Sequence, residues 1–334
     1  MNEDKRPIII DCDTGIDDAV ALIILLAADN LDIRGITTVS GNASVENTTR
    51  NTCNVCHFLG RDDIRIAAGA EKPLVRKPLK ASGVHGLSGL RGVSFESDYN
   101  DNLVEEKAWD LMAGILRSSE RKVTVLALGP VTNIAILLEK YPDVKEKIDE
   151  LVFMGTSYHC GNPTAVSTFN VLVDPEAFRK VIFSGLRFVA CPLETVNSLS
   201  MPRNEVLALA DESNYAGTLF RQLIGGYGLA NAKENIPEDC EEKITSARIE
   251  KARRSGVVFP DPLTAAYLIE PGLFTSRKYY CDVECSGELT TGMTLIDKND
   301  YYMKSEEERN LVLLETADKE GFCRLLKKSI EHYR

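Results

Sequence analysis

The sequence lacks an excess of basic residues, and it has no apolar stretch long enough to cross a membrane. Its 39 lysines and arginines are outnumbered by 50 aspartates and glutamates, which gives a formal net charge of −11 at pH 7. Such a charge disfavours binding to the phosphate backbone of nucleic acids and to anionic membrane surfaces. We therefore expect neither nucleic acid nor a membrane among the partners of this protein.

We also expect no targeting segment and no disulfide framework. The first seven residues, MNEDKRP, are polar and lead directly into an apolar run. The nine cysteines are an odd number scattered among apolar residues, which indicates reduced thiols in a cytoplasmic protein. A zinc site could be built from two cysteine pairs, but these pairs are far apart, and the first has the spacing of buried helical thiols. The pairs are Cys53 with Cys56 and Cys281 with Cys285.

What the chain does contain is a short segment with four carboxylates between two apolar runs. Residues 8–10 are branched and apolar, which is typical of a strand buried on both faces of a parallel sheet. Residues 20–28 are apolar on every side, which predicts a buried helix. The carboxylates therefore lie at the predicted carboxyl end of a strand, where open α/β sheets bind ligands. They are Asp11, Asp13, Asp17 and Asp18.

Four like charges in one crevice oppose folding unless a cation compensates them. Oxygen ligands favour Ca²⁺ or Mg²⁺ over softer metals, whereas helix capping uses only one or two carboxylates. An EF-hand would require glutamate at the position of Leu22. An aspartyl-phosphate phosphatase, whose motif would place its threonine one residue after Thr14, remains an alternative.

The segment DCDTGIDDA, residues 11–19, resembles the amino-terminal fingerprint of the inosine-uridine type nucleoside hydrolases. These enzymes cleave the N-glycosidic bond of ribonucleosides. Further segments resemble the family in the same order along the chain. They are Gly41-Asn42, His85-Gly86, LGPVTNIA at 128–135, DPEA at 174–177 and FPDPLTAA at 259–266.

The resemblance implies a role for particular residues of this chain. Asp13 would be both a metal ligand and the general base, and His85 would act near the leaving base. The Ca²⁺ site would be made of Asp13, Asp18, the backbone carbonyl of Leu128 and Asp261. The substrate-binding residues would be Asp17, Asn42, Met154, Asn162, Thr168 and Asn170.

The fold that we expect is a single large α/β domain spanning residues 1–334. Its mainly parallel, doubly wound sheet would carry the active site at the carboxyl ends of the strands. We expect residues 201–255 to be helical and charged, residues 278–316 to form antiparallel strands at one edge, and residues 317–332 to form a final helix. Because family members are commonly dimers or tetramers, the resemblance implies a homodimer or homotetramer. Apolar runs predict strands near 8–10, 33–39, 64–67, 123–128, 151–154 and 187–191.

Two positions depart from the family pattern. Thr168 stands where members usually have a glutamate that binds the 5′-hydroxyl of the sugar, and Pro260 stands where many have a histidine near the leaving base. We therefore expect Ca²⁺-dependent hydrolysis of a modified ribonucleoside, such as the 7-deazaguanine nucleoside queuosine. His85, His159 or a basic residue near Arg253 would then meet the leaving base. The alternatives are a standard purine or pyrimidine nucleoside hydrolase and a metal-dependent nucleoside-binding protein without turnover.

Overall fold

A nine-stranded sheet runs through the computed structural model, which describes residues 5–79, 85–86, 88–211, 213–227 and 256–333. Two further short strands form a separate antiparallel ribbon. The strands are β1 (Arg6–Cys12), β2 (Leu31–Thr38), β3 (Ile66–Ala68), β4 (Leu103–Val104), β5 (Val123–Ala127), β6 (Ile148–Met154), β7 (Phe188–Cys191), β8 (Phe274–Tyr279), β9 (Cys281–Val283), β10 (Thr294–Ile296) and β11 (Leu311–Ala317).

The order of the strands places β1 in the interior of the sheet. The order is β4-β3-β2-β1-β5-β6-β7-β11-β8, and every neighbouring pair is parallel except β11 with β8. Parallel strands need long crossovers, which helices supply. The carboxyl ends of β2, β1, β5 and β6 therefore lie at the same edge of the sheet.

Helices cover both faces of this sheet. Ile8 and Ile10 of β1 pack in one apolar cluster, whereas Ile9 packs in another, because successive side chains of a strand point to opposite faces. The fold is thus a single α/β domain with a mostly parallel, doubly wound sheet, as predicted. The helices are α1 (Ile16–Leu26), α2 (Val45–Phe58), α3 (Ala108–Ser118), α4 (Thr132–Lys140), α5 (Phe169–Val173), α6 (Pro175–Ile182), α7 (Leu193–Ser198), α8 (Arg203–Leu207), α9 (Tyr215–Gly226), α10 (Pro260–Ile269) and α11 (Lys319–Glu331).

The first helix positions the acidic segment. All of α1 except Asp17 is buried, which agrees with its apolar sequence. The helix begins directly after Gly15, so Asp17 and Asp18 fall in its first turn, where backbone N–H groups lack helical partners. Among the helices that the structure describes, none combines the length and the apolarity that a membrane span requires.

The carboxyl-terminal strands confirm one prediction in part. We expected residues 278–316 to form antiparallel strands at one edge, and β8 does lie at the edge and pairs antiparallel with β11. However, β11 lies inside the sheet, parallel to β7, and the antiparallel ribbon of β9 and β10 lies apart from the sheet. Leu313 and Leu314 explain the position of β11, because both are fully buried in clusters on opposite faces. Of the predicted helical segment 201–255, the structure describes α8 and α9, while Arg253 falls outside the described residues.

Candidate active site

Four aspartates gather beyond the carboxyl end of β1. Asp13 follows that strand, Asp17 and Asp18 stand in the first turn of α1, and Asp261 comes from the first turn of α10. The carboxylate oxygens of Asp17, Asp18 and Asp261 lie within 4.8 Å of one another. The helix α10 packs against α1 and thereby brings a residue from the distant part of the chain into the site.

Backbone N–H groups and Asn42 hold two of these carboxylates. Oδ1 of Asp18 accepts the N–H of Asp13 at 3.2 Å, and Oδ2 accepts the N–H of Gly15 at 2.9 Å and the side-chain amide of Asn42 at 3.0 Å. Oδ2 of Asp13 accepts the backbone N–H of Asn42 at 2.7 Å. Oδ1 of Asp13 and Oδ1 of Asp17 are buried, and within the described part of the chain neither has a hydrogen-bond partner. These two oxygens are therefore available to an ion or a substrate hydroxyl.

Burial is the main cause of the raised pKa values of these four carboxyls. Loss of hydration raises the pKa of Asp17 and of Asp18 to about 6. It also raises the pKa of Asp13 and Asp261 well above the ordinary value, and the neighbouring carboxylates add to this rise. Asp261 is within hydrogen-bonding reach of both Asp17 and Asp18. Carboxylates in such contact need a shared proton or a cation between them.

The group fits a hard divalent cation. Its donors are all oxygens, Asp18 and Asp261 are buried while Asp17 is half-buried, and some of these oxygens have no hydrogen-bond partner among the described residues. This is the donor set that Ca²⁺ and Mg²⁺ prefer. Of the predicted ligands, Asp13, Asp18 and Asp261 are brought together. The structure adds Asp17, which the sequence assigned to the substrate alone. The carbonyl of Leu128 accepts the side-chain amide of Asn170.

Two glycines let the backbone approach Asp13. A Cβ atom at Gly41, just beyond β2, would overlap Oδ2 of Asp13. A Cβ atom at Gly129, just beyond β5, would lie 2.9 Å from Oδ1 of the same carboxylate. Because real Cβ atoms do not come so close to other atoms, the site requires glycine at both strand ends.

Of the predicted sugar-binding residues, Met154 ends β6, Thr168 and Asn170 stand at the start of α5, and Asn162 lies in the loop between them. The amide of Asn170 donates to the carbonyls of Leu128 and Met154 and so joins the two strand ends. The hydroxyl of Thr168 accepts the N–H of Thr156 at 3.3 Å. Asn162, in contrast, is exposed, and its Oδ1 accepts the N–H of Phe169 at 3.0 Å. This hydrogen bond closes the loop before α5, and it does not involve the aspartates.

His85 covers the start of α1. Its Nδ1 accepts the N–H of Ile16 at 3.1 Å and lies 3.8 Å from Oδ1 of Asp17. Burial lowers the pKa of His85 to about 4, so the ring is neutral at pH 7 and carries its proton on Nε2. The ring centroid of Tyr227 lies 6.5 Å away. His159, the second candidate for the leaving base, is exposed.

Asn133 is a buried residue next to the site to which the sequence analysis assigned no role. Its amide donates to Oδ1 of Asp11 at 2.8 Å and to the carbonyl of Thr38 at 2.9 Å, and its Oδ1 accepts the N–H of Ala70 at 2.9 Å. Asn133 thereby ties β1, β2 and the segment after β3 together beneath the aspartates. The available signal was a polar amide, fully buried here, at the start of an otherwise apolar helix.

Comparison with known proteins agrees with this geometry. The sequence model described as "Inosine-uridine preferring nucleoside hydrolase" matches residues 8–324. The chain belongs to this nucleoside hydrolase family. As a member, the protein is an N-glycosyl hydrolase that acts on nucleosides, and the alternative of an aspartyl-phosphate phosphatase is excluded.

Individual relatives of this nucleoside hydrolase match it along nearly its whole length. The pyrimidine-specific ribonucleoside hydrolase RihA of Salmonella newport is 35% identical over 327 residues, which cover 98% of this chain and 99% of the relative. A solved inosine-guanosine nucleoside hydrolase is 25% identical, with a TM-score of 0.82 over 98% of each chain. A purine-preferring ribonucleoside hydrolase of Gardnerella vaginalis shares the fold, with 22% identity, a TM-score of 0.81 and coverage of 97% of this chain and 98% of that one.

Proposed function

We propose that this nucleoside hydrolase cleaves the N-glycosidic bond of a ribonucleoside with water and depends on Ca²⁺. The observation that carries the proposal is the group of carboxylates in which Oδ1 of Asp13 is buried and has no partner among the residues that the structure describes. Asp13, Asp18, Asp261 and the Leu128 carbonyl would hold the ion, with Asp17 beside them. When bound, the ion supplies positive charge that compensates the carboxylates, acidifies the attacking water and orients the vicinal hydroxyls of the ribose.

Asp13 is the group that takes the proton from the attacking water. The N–H of Asn42 fixes Oδ2 of Asp13, which leaves Oδ1 free to accept that proton. Close contact with Gly41 and Gly129 prevents the carboxylate from turning away. A base held in one orientation next to the reacting atom lowers the barrier by general base catalysis and by positioning.

Asp17 holds the sugar. Its Oδ1, which accepts no hydrogen bond from the described residues, is a ready acceptor for a ribose hydroxyl. As the bond to the base breaks, the sugar takes on oxocarbenium character, and the carboxylates at this edge of the sheet stabilise its positive charge. Asn42 and Asn170 keep the surrounding strand ends in place through their hydrogen bonds to Asp18 and to Met154.

His85 faces the departing base. Because its Nδ1 accepts the N–H of Ile16, the ring presents the Nε2 proton as a hydrogen-bond donor. A pKa of about 4 keeps the ring neutral at pH 7. His85 therefore stabilises the leaving base by a hydrogen bond and not by donating a proton as an imidazolium. Pro260 supplies no proton donor at the start of α10.

Uridine and cytidine are the first substrates that we propose, because curated relatives at 34 to 35% identity carry the name pyrimidine-specific ribonucleoside hydrolase. A modified nucleoside such as queuosine is the second candidate. The observation that favours a change at the base is Pro260, which is buried at the start of α10 and offers no proton donor to a leaving base. Thr168, which is uncharged and engaged with the N–H of Thr156, would instead bear on substitution at C5′.

The test is the release of free base and ribose from uridine, cytidine, inosine and queuosine, in Ca²⁺ and in a chelator. We expect release that stops on chelation and is lost in Asp13→Asn. Asp29→Asn is the matched control, because Asp29 is exposed and lies beyond the carboxyl end of α1, away from the site. Calorimetric binding of a nucleoside without any release would instead favour the binding protein without turnover. Assembly as a homodimer or homotetramer and a cytoplasmic location stay predictions.

A further inference from the structure

Thr156, the second residue after β6, has a strained backbone. Its φ is +77°, a left-handed conformation that β-branched side chains strongly disfavour. Only two other non-glycine residues among those that the structure describes have a positive φ, and both lie in the turn before β11. Strain of this kind persists only where the surroundings impose it, and it concentrates at sites that bind ligands.

Hydrogen bonds on all sides impose this conformation. The N–H of Thr156 donates to the hydroxyl of Thr168 at 3.3 Å, and its carbonyl accepts the N–H of Leu193 at 3.1 Å. The next residue, Ser157, exchanges two bonds with the hydroxyl of Thr294, at 3.0 Å through its N–H and at 2.7 Å through its carbonyl. The backbone on both sides of the Thr156 side chain is thus fixed.

Glu194, at the start of α7, holds the rest of the segment. One of its carboxylate oxygens accepts the hydroxyl of Ser157 at 2.9 Å, the N–H of Tyr158 at 3.0 Å and the N–H of His159 at 2.8 Å. The ring of Tyr158 in turn carries the ammonium group of Lys298, 4.1 Å from its centroid. The segment after β6 is therefore rigid, and its rigidity fixes where the Thr156 side chain points.

The hydroxyl that this framework orients has no partner among the described residues. Thr156 is fully buried, and its Oγ1 makes no hydrogen bond within the part of the chain that the structure describes. A buried hydroxyl without a partner costs free energy, and a strained backbone adds to that cost. Both costs are explained if the hydroxyl is kept for a bound molecule.

The place of Thr156 in the sheet shows which part of a nucleoside it meets. β6 is separated from β1 by β5, and the Met154 carbonyl is tied to the Leu128 carbonyl through Asn170. Thr156 therefore lies at the β6 side of the crevice, whereas His85 lies at the start of α1. In a ribonucleoside, the 2′- and 3′-hydroxyls share one edge of the ring, and the base and C5′ flank the ring oxygen. With the diol at the aspartates and the base near His85, C5′ is directed to β6.

We propose that the hydroxyl of Thr156 binds the 5′-hydroxyl of the ribose and thereby determines specificity at C5′, a role that rests on the proposed function. Thr168 contributes by fixing the N–H of Thr156, and Glu194 is a positioning residue that acts through the segment. The polar contact at C5′ is thus made by a neutral hydroxyl. The substrate is accordingly a nucleoside that has an unmodified 5′-hydroxyl, or a 5′ substituent that retains a hydrogen-bonding oxygen.

The test compares Thr156→Ala with Thr156→Ser on two substrates, uridine and 5′-deoxyuridine. Loss of one neutral hydrogen bond corresponds to roughly a fivefold loss of affinity, so we expect KM for uridine to rise about fivefold in Thr156→Ala. KM for 5′-deoxyuridine should stay unchanged, because that substrate has no group for Thr156 to bind. Thr156→Ser, which keeps the hydroxyl, should behave as the wild type. If Thr156→Ala weakens both substrates equally, or neither, the role of Thr156 is wrong.

Two controls separate strain and turnover from specificity. Thr156→Gly removes the hydroxyl and relieves the backbone strain, so it replaces the alanine variant if that variant fails to fold. It should raise both the melting temperature and the KM for uridine. Met303→Gly relieves a φ of +47° at an exposed position and should raise the melting temperature alone. Calorimetric binding of the two nucleosides to Asp13→Asn makes the same comparison without turnover, so a failure of the proposed hydrolysis is distinguished from a failure of the Thr156 contact.

Discussion

In the absence of divalent cations, the folded protein should be less stable near pH 8 than near pH 5. Burial raises the pKa of Asp17 and of Asp18 from 3.8 to about 6. A carboxyl whose pKa is raised by folding contributes stability that is fully present below its unfolded pKa. That contribution is lost as the pH rises through the folded pKa. The window for this loss therefore runs from about pH 4 to about pH 7.

The size of the effect follows from the same shifts. A rise of about two pKa units corresponds to about 3 kcal/mol for each carboxyl, and roughly 3 to 6 kcal/mol for the coupled pair. A chain of 334 residues has an unfolding entropy of about 0.7 kcal/mol/K. About half of this contribution is already lost at pH 5, so the metal-free protein should melt roughly 2 to 4 °C lower near pH 8 than near pH 5 because of these shifts.

Thermal unfolding followed by circular dichroism measures this directly, on metal-free protein and on protein in saturating CaCl₂. We expect Ca²⁺ to raise the melting temperature strongly near pH 8 and weakly near pH 5, since protonated carboxyls bind the ion poorly. The variant Asp29→Asn should show the same pH dependence as the wild type, because Asp29 is exposed. Equal stabilisation by Ca²⁺ at both pH values, or a metal-free protein that becomes more stable from pH 5 to pH 8, would refute the reasoning.

Three substitutions test other parts of the site. Asp13→Asn should lower kcat by about 10² to 10⁴ and change nucleoside affinity far less, as single-turnover and binding measurements would show. Gly41→Ala should abolish hydrolysis because its Cβ overlaps Asp13. The control Gly114→Ala, in the open interior of α3, should keep full activity in the same assay, and its free energy of unfolding in urea should rise by about 0.5 to 1 kcal/mol. Asn133→Ala should lower the free energy of unfolding by about 1 to 3 kcal/mol, since its buried partners lose their bonds; an unchanged urea midpoint would contradict this.

Much of the sheet could be predicted because its strands are short apolar runs buried on both faces. Residues 8–10 and 151–154 are examples, and both fall in observed strands. The position of β11 could not be predicted in this way. Its neighbour β7 lies more than a hundred residues earlier, and nothing in the sequence of either strand states that they pair. Pairing between distant strands depends on how all the crossovers pack, which local patterns do not contain.

The site shows the same division. The carboxylates that follow β1 are visible as a cluster in sequence, whereas Asp261 is an ordinary helix-start residue until a family resemblance assigns it a role. Thr156 is a harder case, because threonine disfavours the left-handed conformation that it adopts. Local preference therefore points away from the observed structure at this residue. Hydrogen bonds of this segment with residues of other elements explain the conformation; the partners are Thr168, Leu193, Glu194 and Thr294.

The measurement that tests the central claim most directly is the rate at which purified protein releases uracil and ribose from uridine, before and after chelation and again after Ca²⁺ is restored. We predict equal amounts of free base and free ribose, no release in the chelator, and recovery with Ca²⁺ in the wild type but not in Asp13→Asn. Release that continues unchanged in the chelator, or in Asp13→Asn, would contradict the account of a Ca²⁺-dependent hydrolase with Asp13 as its base.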